Sequence, residues 1–310
     1  MRKYLISGSL IIDRVLSDDG APLRVSLGGG AAYALTGIKL FNDRCALACY
    51  TGKDYDDYYA EWMNRNSYPW DGIKMITEHM TFLDLYYRED GVHEMARAED
   101  SLVCPDLPQF ELIEPFLNGD MSDLAIHIIH CDVRDMLKKL QPYREKGLKV
   151  GYEIDHTDLG DIDIPAYIKE VTDNYLDYYS MSLAELKEII PEIETEEEAL
   201  RYIKSFKCPV FFRMGERGAY FVKDGKEYYS PMITDFGSLD PTGCGNISTA
   251  AVFMADTEGM DPLRASYMGA VAASVNASYN GLIPYIDEDL KAKCRETVDK
   301  YLSVQGGKEI

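Results

Sequence analysis

Short apolar runs recur along the chain, and between them lie stretches in which apolar positions return at helical spacing. Lys3 to Ile12 reads as a continuous apolar strand ending at Asp13, and Arg44 to Tyr50 reads as a second strand. The small-residue segment Ala31 to Leu40 between them predicts a helix, so the chain opens as a β-α-β unit. Further runs at Leu124 to Cys131, Leu148 to Ile154, Tyr175 to Ser180 and Val210 to Met214 are separated by helical patterns such as Asp132 to Lys146 and Glu196 to Phe206. Such alternation predicts an α/β chain built on a central, mostly parallel sheet with helices on both faces. The last third is helical. Asn246 to Ala255 and Asp261 to Ser278 are rich in Ala, Ser and Gly, which permits close packing of helix on sheet.

Two stretches break this pattern. Residues 14–27 and 80–98 read as short strands with turns. In the second, Phe82, Asp84 and Tyr86 alternate with Leu83, Leu85 and Tyr87, and Glu89-Asp90-Gly91 offers an Asp-Gly hairpin turn. Together they predict a small antiparallel sheet inserted into the body, either as an edge extension or as a lid. No internal repeat divides the chain, and 1–310 is expected to form one domain with these two inserts.

Charge narrows the partners. Lys and Arg number 32 against 53 Asp and Glu, a formal net charge of −21. With no clustered basic run to release counterions from phosphates, nucleic acid is excluded as an expected partner. Hydrophobic residues at 46% leave ample apolar material for a core, which argues against disorder. The seven cysteines are scattered, without a C-x-x-C pair, and read as free thiols in a reducing compartment. Met1-Arg2-Lys3 and the apolar residues after it resemble the start of a signal peptide, but Ser7-Gly8-Ser9 and Asp13 interrupt the run, so a buried first strand is expected. No apolar stretch approaches the roughly 18 residues of a membrane span. The expected location is the cytoplasm. The acidic run Glu192 to Glu198 contains Thr195 followed by Glu198, a capping box opening the next helix. His127 and His130 lie three apart in an apparent strand, on opposite faces, and make a poor metal pair. The tyrosines between Tyr50 and Tyr87 line the lid or pack an interface between copies; the pattern does not separate these uses.

The strongest local chemistry is Asp240-Pro241-Thr242-Gly243-Cys244-Gly245-Asn246, running directly into a helix. Glycines there allow a tight turn, and the N–H groups of a helix N-terminus with its positive dipole end form an anion hole. Cys244 sits where a helix could lower its pKa, but the motif explains its presence without nucleophilic chemistry. Other glycine-bearing segments stand in order at strand ends or strand-to-helix junctions: Ile6 to Asp13 around Gly8, Gly28-Gly29-Gly30-Ala31, Gly52-Lys53-Asp54 and Arg213-Met214-Gly215-Glu216-Arg217-Gly218.

With these segments in this order, the chain resembles the ribokinase-like (PfkB) carbohydrate kinase family from about Tyr4 to about Pro284. Gly243 to Asn246 is similar to that family's C-terminal signature D-T-x-G-A-G-D, and Gly28-Gly29 to its N-terminal Gly-Gly motif. The resemblance implies a ribokinase-like α/β fold with a β-sheet lid that also forms a homodimer contact, ATP as cofactor, Mg²⁺ bridging its phosphates, and a sugar or nucleoside-like substrate. It implies that Asp13, Gly29, Gly30 and Tyr33 bind the substrate, with Tyr33 where many members carry Asn. Gly215, Gly218 and Asn276 would border the nucleotide, and Gly243, Cys244 and Gly245 would cradle the transferring phosphoryl group.

Two positions depart from that pattern. Asn246 occupies the place of the family's general base, a carboxylate, and an amide cannot accept the proton at neutral pH. The family's N-x-x-E element, associated with Mg²⁺ and its waters, corresponds to Ser182-Leu183-Ala184-Glu185, where Ser-x-x-Glu is also a capping box. The expected function is an ATP-dependent phosphotransferase acting on a hydroxyl. The alternative is a non-catalytic nucleotide- or sugar-binding protein that keeps the kinase fold. A dinucleotide oxidoreductase fits poorly, because Gly8 is the only glycine in the first βα turn.

Overall fold

The computed structural model describes residues 2–16, 22–87, 93–97, 109–130, 133–154 and 162–306. From the N-terminus the elements are β1 (Lys3–Ser7), β2 (Ile11–Leu16), β3 (Pro22–Gly28), α1 (Gly30–Lys39), β4 (Cys45–Leu47), β5 (Cys49–Gly52), α2 (Tyr55–Arg65) and β6 (Ile73–Thr77). There follow β7 (Thr81–Tyr87), β8 (His93–Arg97), α3 (Phe110–Ile113), β9 (Leu124–His130), α4 (Arg134–Arg144), β10 (Lys149–Ile154), α5 (Ile164–Asn174), β11 (Tyr178–Ser182), α6 (Leu183–Ile189) and α7 (Glu196–Ile203). The chain closes with β12 (Val210–Arg213), β13 (Ala219–Lys223), β14 (Lys226–Ser230), α8 (Cys244–Thr257), α9 (Pro262–Ala277) and α10 (Glu288–Gly306).

The central sheet has eight strands in the order β14-β13-β12-β11-β10-β9-β1-β4. Its pairs are parallel except β12–β13 and β13–β14. Alternation along β1 shows why helices cover both faces. Tyr4 and Ile6 point into one apolar cluster shared with α1, α8 and α9, while Leu5 points into the other, shared with α4, α5 and α7. Ala31, Ala32, Ala34, Ala250 and Ala251 are wholly buried, so the small-residue helices α1 and α8 do pack closely.

The strand expected over Lys3 to Ile12 is two strands. β1 ends at Ser7 and β2 begins at Ile11 in a different sheet, and between them the Ser9 carbonyl accepts from Ala31 N–H (3.2 Å) at the start of α1. Asp13 therefore stands within β2 and not at the end of β1. The strand expected over Arg44 to Tyr50 also divides: β4 pairs with β1, while β5 pairs with β6 in a separate two-stranded sheet.

Both stretches that broke the α/β pattern form strands, within a four-stranded sheet ordered β3-β2-β7-β8. It is mixed rather than antiparallel. The hairpin pairs β2–β3 and β7–β8 run antiparallel, but β2 and β7 pair in parallel, as the long crossover between them permits. The expected turn at Glu89-Asp90-Gly91 lies outside the described residues. Arg14 and Asp84 pair across β2 and β7 with two hydrogen bonds of 2.7 and 3.1 Å. Tyr59 of α2 is wholly buried and donates to the carbonyls of Gly28 (2.6 Å) and Ile11 (3.1 Å), tying the small sheet to the body. Tyr55, Tyr59 and Trp62 thus pack the core. The capping box at Thr195 and Glu198 is formed as expected.

Candidate active site

Parallel strands deliver polar side chains at their C-terminal ends, where helix N-termini also gather. Gly243 caps α8 with φ +76°, a left-handed conformation that favours glycine, and the ring of Tyr33 fills the space a Cβ would need. No side chain caps this helix. Cys244 N–H donates to Pro241 O (3.1 Å) and Ile247 N–H to Gly243 O (3.0 Å). Among the described residues, the N–H groups of Gly245 and Asn246 remain as open donors of the first turn. The preceding loop is held from two sides: Asp240 accepts from Thr242 N–H (2.9 Å), and Asn276 donates from Nδ2 to Thr242 O (2.7 Å).

Facing α8 is the N-terminus of α1. Gly29 caps it with φ +94° and no side-chain bond. Asp13, 4% exposed, presses its carboxyl against Gly28 so closely that a Cβ there would collide with it. Burial pushes the Asp13 pKa up to about 6; the Arg24 guanidinium opposes that rise and the Asp240 carboxylate adds to it. Arg24, from β3, pairs with Asp240 at 2.9 Å and reaches Asn280 Oδ1 at 3.0 Å, so the small sheet is latched over this corner. Tyr33 is 2% exposed and its Oη has no partner. Burial, then Asp13 and Asp240, raise its pKa, which keeps the phenol a neutral donor. A Cβ at Gly30 would lie 3.3 Å from Asn246 Nδ2, so the two helix starts meet at Asn246.

Beneath α8 lies a buried ionic cluster. Arg213, the last residue of β12, places Nη2 2.9 Å from Glu153 Oε1 and 3.4 Å from Glu185 Oε2. Burial works to raise the Glu153 pKa, but Arg213, His127 and the Asn246 amide outweigh it and hold the carboxyl below the usual range. His127 Nε2 stands 3.8 Å from Glu153 Oε2, too long for a direct hydrogen bond, and neither atom has another partner. Asn246 thus presents an amide where a carboxylate would confront Glu153.

The structure brings Asp13, Gly29, Gly30 and Tyr33 together with Gly243, Cys244, Gly245 and Asn246 at the two helix starts. Burial raises the Cys244 pKa, and its thiol donates to Ala273 O (3.4 Å). Asn276 is wholly buried behind the loop. Gly215 (φ +60°) and Gly218 (φ +85°) shape the turn after β12; space beside Gly215 is open, whereas Gly218 packs on Ser230 and Pro231. Glu185 forms a capping box with Ser182, whose N–H donates to Glu185 Oε2 at 2.5 Å. The same oxygen faces Arg213. Among the described residues no cluster of three His, Cys, Asp or Glu could hold a metal ion. The donor set around Glu185 does not fit Mg²⁺, because a guanidinium already stands between the two carboxylates. Pattern reading missed Glu153 and gave Arg213 and Arg24 no role. A charged residue inside each apolar run, Glu153 in Lys149 to Ile154 and Arg213 after Val210 to Phe212, was the available signal. A cavity of about 210 Å³ lined by Ser26, Tyr58, Trp62 and Asn280 holds none of the expected site residues.

This sheet order, with its additional small sheet, is that of the ribokinase-like fold. The nucleoside kinase of Methanocaldococcus jannaschii, an archaeal member of the ribokinase family, superposes with a TM-score of 0.71 at 18% identity over 97% of this chain and 99% of its own. Arabidopsis thaliana ribokinase, solved with ribose and ATP, gives 0.71 at 17% identity over 96% and 99%. A ribokinase II structure from E. coli with ATP and Mg²⁺ gives 0.70 at 15% identity over 97% and 100%. No family model and no curated protein matches the sequence. No helix among the described residues is long and apolar enough to cross a membrane.

Proposed function

We propose that the chain transfers a phosphoryl group from ATP to a hydroxyl of a sugar or nucleoside-like molecule. The observation that carries this reading is the uncapped first turn of α8, with its open Gly245 and Asn246 N–H groups, packed at Gly243 on Tyr33, whose phenol is in turn within the field of the buried Asp13 carboxylate. Open donors at a helix N-terminus suit a phosphoryl group, and a carboxylate beside Gly28 suits hydroxyls. Acceptor hydroxyls meet Asp13 and the Tyr33 phenol between Gly29, Gly30 and the small sheet acting as lid. The phosphates lie on Gly243 to Asn246, with the nucleoside toward Gly215, Gly218 and the loop braced by Asn276. Leu23 and Val25, 69% and 52% exposed on the outer lid strand β3, are the surface offered to a second copy.

Asn246 supports a second reading, a binding protein that keeps the fold without efficient transfer, since the amide cannot take the acceptor proton. ADP formation across a panel of sugars and nucleosides separates the two, measured beside the nucleotide-induced rise in melting temperature. Gly245→Asp places a carboxylate in the anion hole and is expected to abolish that rise. An unchanged rise would put the nucleotide elsewhere.

A further inference from the structure

Arg213 is placed unlike an ordinary buried ion-pair residue. Its Nη2 serves both Glu153 and Glu185, while its Nη1 makes no hydrogen bond among the described residues. That free arm lies against Gly245, where any Cβ would run into it. The side chain is 15% exposed, Glu153 4% and Glu185 23%. The three form a stem of two buried or half-buried acids and one guanidinium whose unused donors emerge at the first turn of α8. Beside them the Gly245 and Asn246 N–H groups are also open. The Nη1 arm and these two N–H groups are donors without a partner among the described residues. One acid comes from β10 and the other from α6, the helix that follows the neighbouring strand β11, and β12 supplies the cation between them. A guanidinium stays protonated across the accessible pH range, and its planar fork matches carboxylate on one side and phosphate on the other.

We propose that Arg213 takes the place of a divalent cation in this site. It bridges Glu153 and Glu185 and donates through Nη1 to the phosphoryl group seated on α8, so polyphosphate ligands bind without Mg²⁺. This rests on the nucleotide reading above. The requirement for Gly at position 245 follows as well: the ligand and the guanidinium share the space a side chain would occupy.

The test compares dissociation constants of ATP and of inorganic tripolyphosphate in EDTA and in excess Mg²⁺, by calorimetry and thermal shift on the full chain. Expected is metal-free binding of both, within about tenfold of the value in Mg²⁺. The paired substitution Arg213→Gln with Glu153→Gln removes the cation without stranding its buried partner. It is expected to lose metal-free affinity by about tenfold or more, the scale of a charge-assisted hydrogen bond. Binding seen only with Mg²⁺ overturns the proposal and leaves the nucleotide reading standing. Absence of binding in both conditions overturns both. Full metal-free affinity in the paired variant overturns the role of Arg213, and should that variant fail to fold, the EDTA comparison on the native chain still decides.

Discussion

The two glycine helix starts that face each other are finished in opposite ways. Next to the cap of α1 the chain sets its own carboxylate, Asp13, buried against Gly28. Against the start of α8 it sets a guanidinium, Arg213, and no capping side chain. A helix N-terminus carries roughly half a positive charge. At α1 an internal carboxylate lies beside that charge, whereas at α8 the nearest charged group is a guanidinium that is itself bridged to Glu153 and Glu185. The difference is what the proposed function rests on: an acceptor-rich corner at α1 suits hydroxyls, and an uncapped, donor-rich start at α8 suits an anion.

The sharpest break tests the cation. Arg213→Met leaves Glu153 buried without its partner and should cost about 3–5 kcal/mol of unfolding free energy, measured by urea denaturation. A loss below about 1 kcal/mol would mean the acids do not depend on Arg213.

The carboxylate side makes the opposite prediction. Asp13 has a folded pKa raised to about 6 from 3.8. A raised carboxyl contributes its stability fully below the unfolded pKa and loses it as pH rises through the folded value. Asp13→Asn should therefore stabilise the protein at pH 7, by roughly 3 kcal/mol at about 1.4 kcal/mol per pKa unit. The gain should disappear below pH 4. A difference between variant and native that does not change from pH 4 to pH 7 would remove the contrast between the two helix starts.

A smaller effect falls where the starts meet. Asn246→Asp supplies a base beside the open N–H groups, and with a suitable acceptor transfer should rise at least about tenfold, equivalent to about 1.4 kcal/mol. Glu153 next to it should raise the pKa of the new carboxyl, moving the lower limb of the pH–rate profile toward neutrality. No turnover in either protein, with nucleotide still bound, would favour the binding-protein reading. The smallest effect concerns the latch between small sheet and body. Arg24→Ala removes a partly exposed partner from the buried Asp240 carboxylate, which keeps its bond from Thr242 N–H, and should cost about 1 kcal/mol, diminishing with added salt.

Much of the scaffold was legible because period and punctuation are local. Apolar runs placed the core strands within a few residues, and small residues marked α1, α8 and α9 as close-packed. Ser7-Gly8-Ser9 marked an interruption in the first run, but not that the chain changes sheets there, because that depends on the partners β1 and β2 find far along the chain. The parallel pairing of β2 with β7 escaped for the same reason: alternation reports that a segment is a strand and is silent on its neighbour's direction.

The sequence by itself determined a tight turn with open donors, since Gly243, Gly245 and the helix after them impose open N–H groups wherever the segment sits. It determined too that Asn246 cannot act as a base, a property of the amide alone. Only the tertiary structure decided what surrounds that turn. Arg213 and Glu153 come from strands β12 and β10 and Glu185 from helix α6, and nothing local to any of them signals that one guanidinium joins two carboxylates beneath Gly245. Burial likewise turned Asp13 into a carboxyl with a pKa near 6, because desolvation depends on everything packed around a group and not on the residues beside it in the chain.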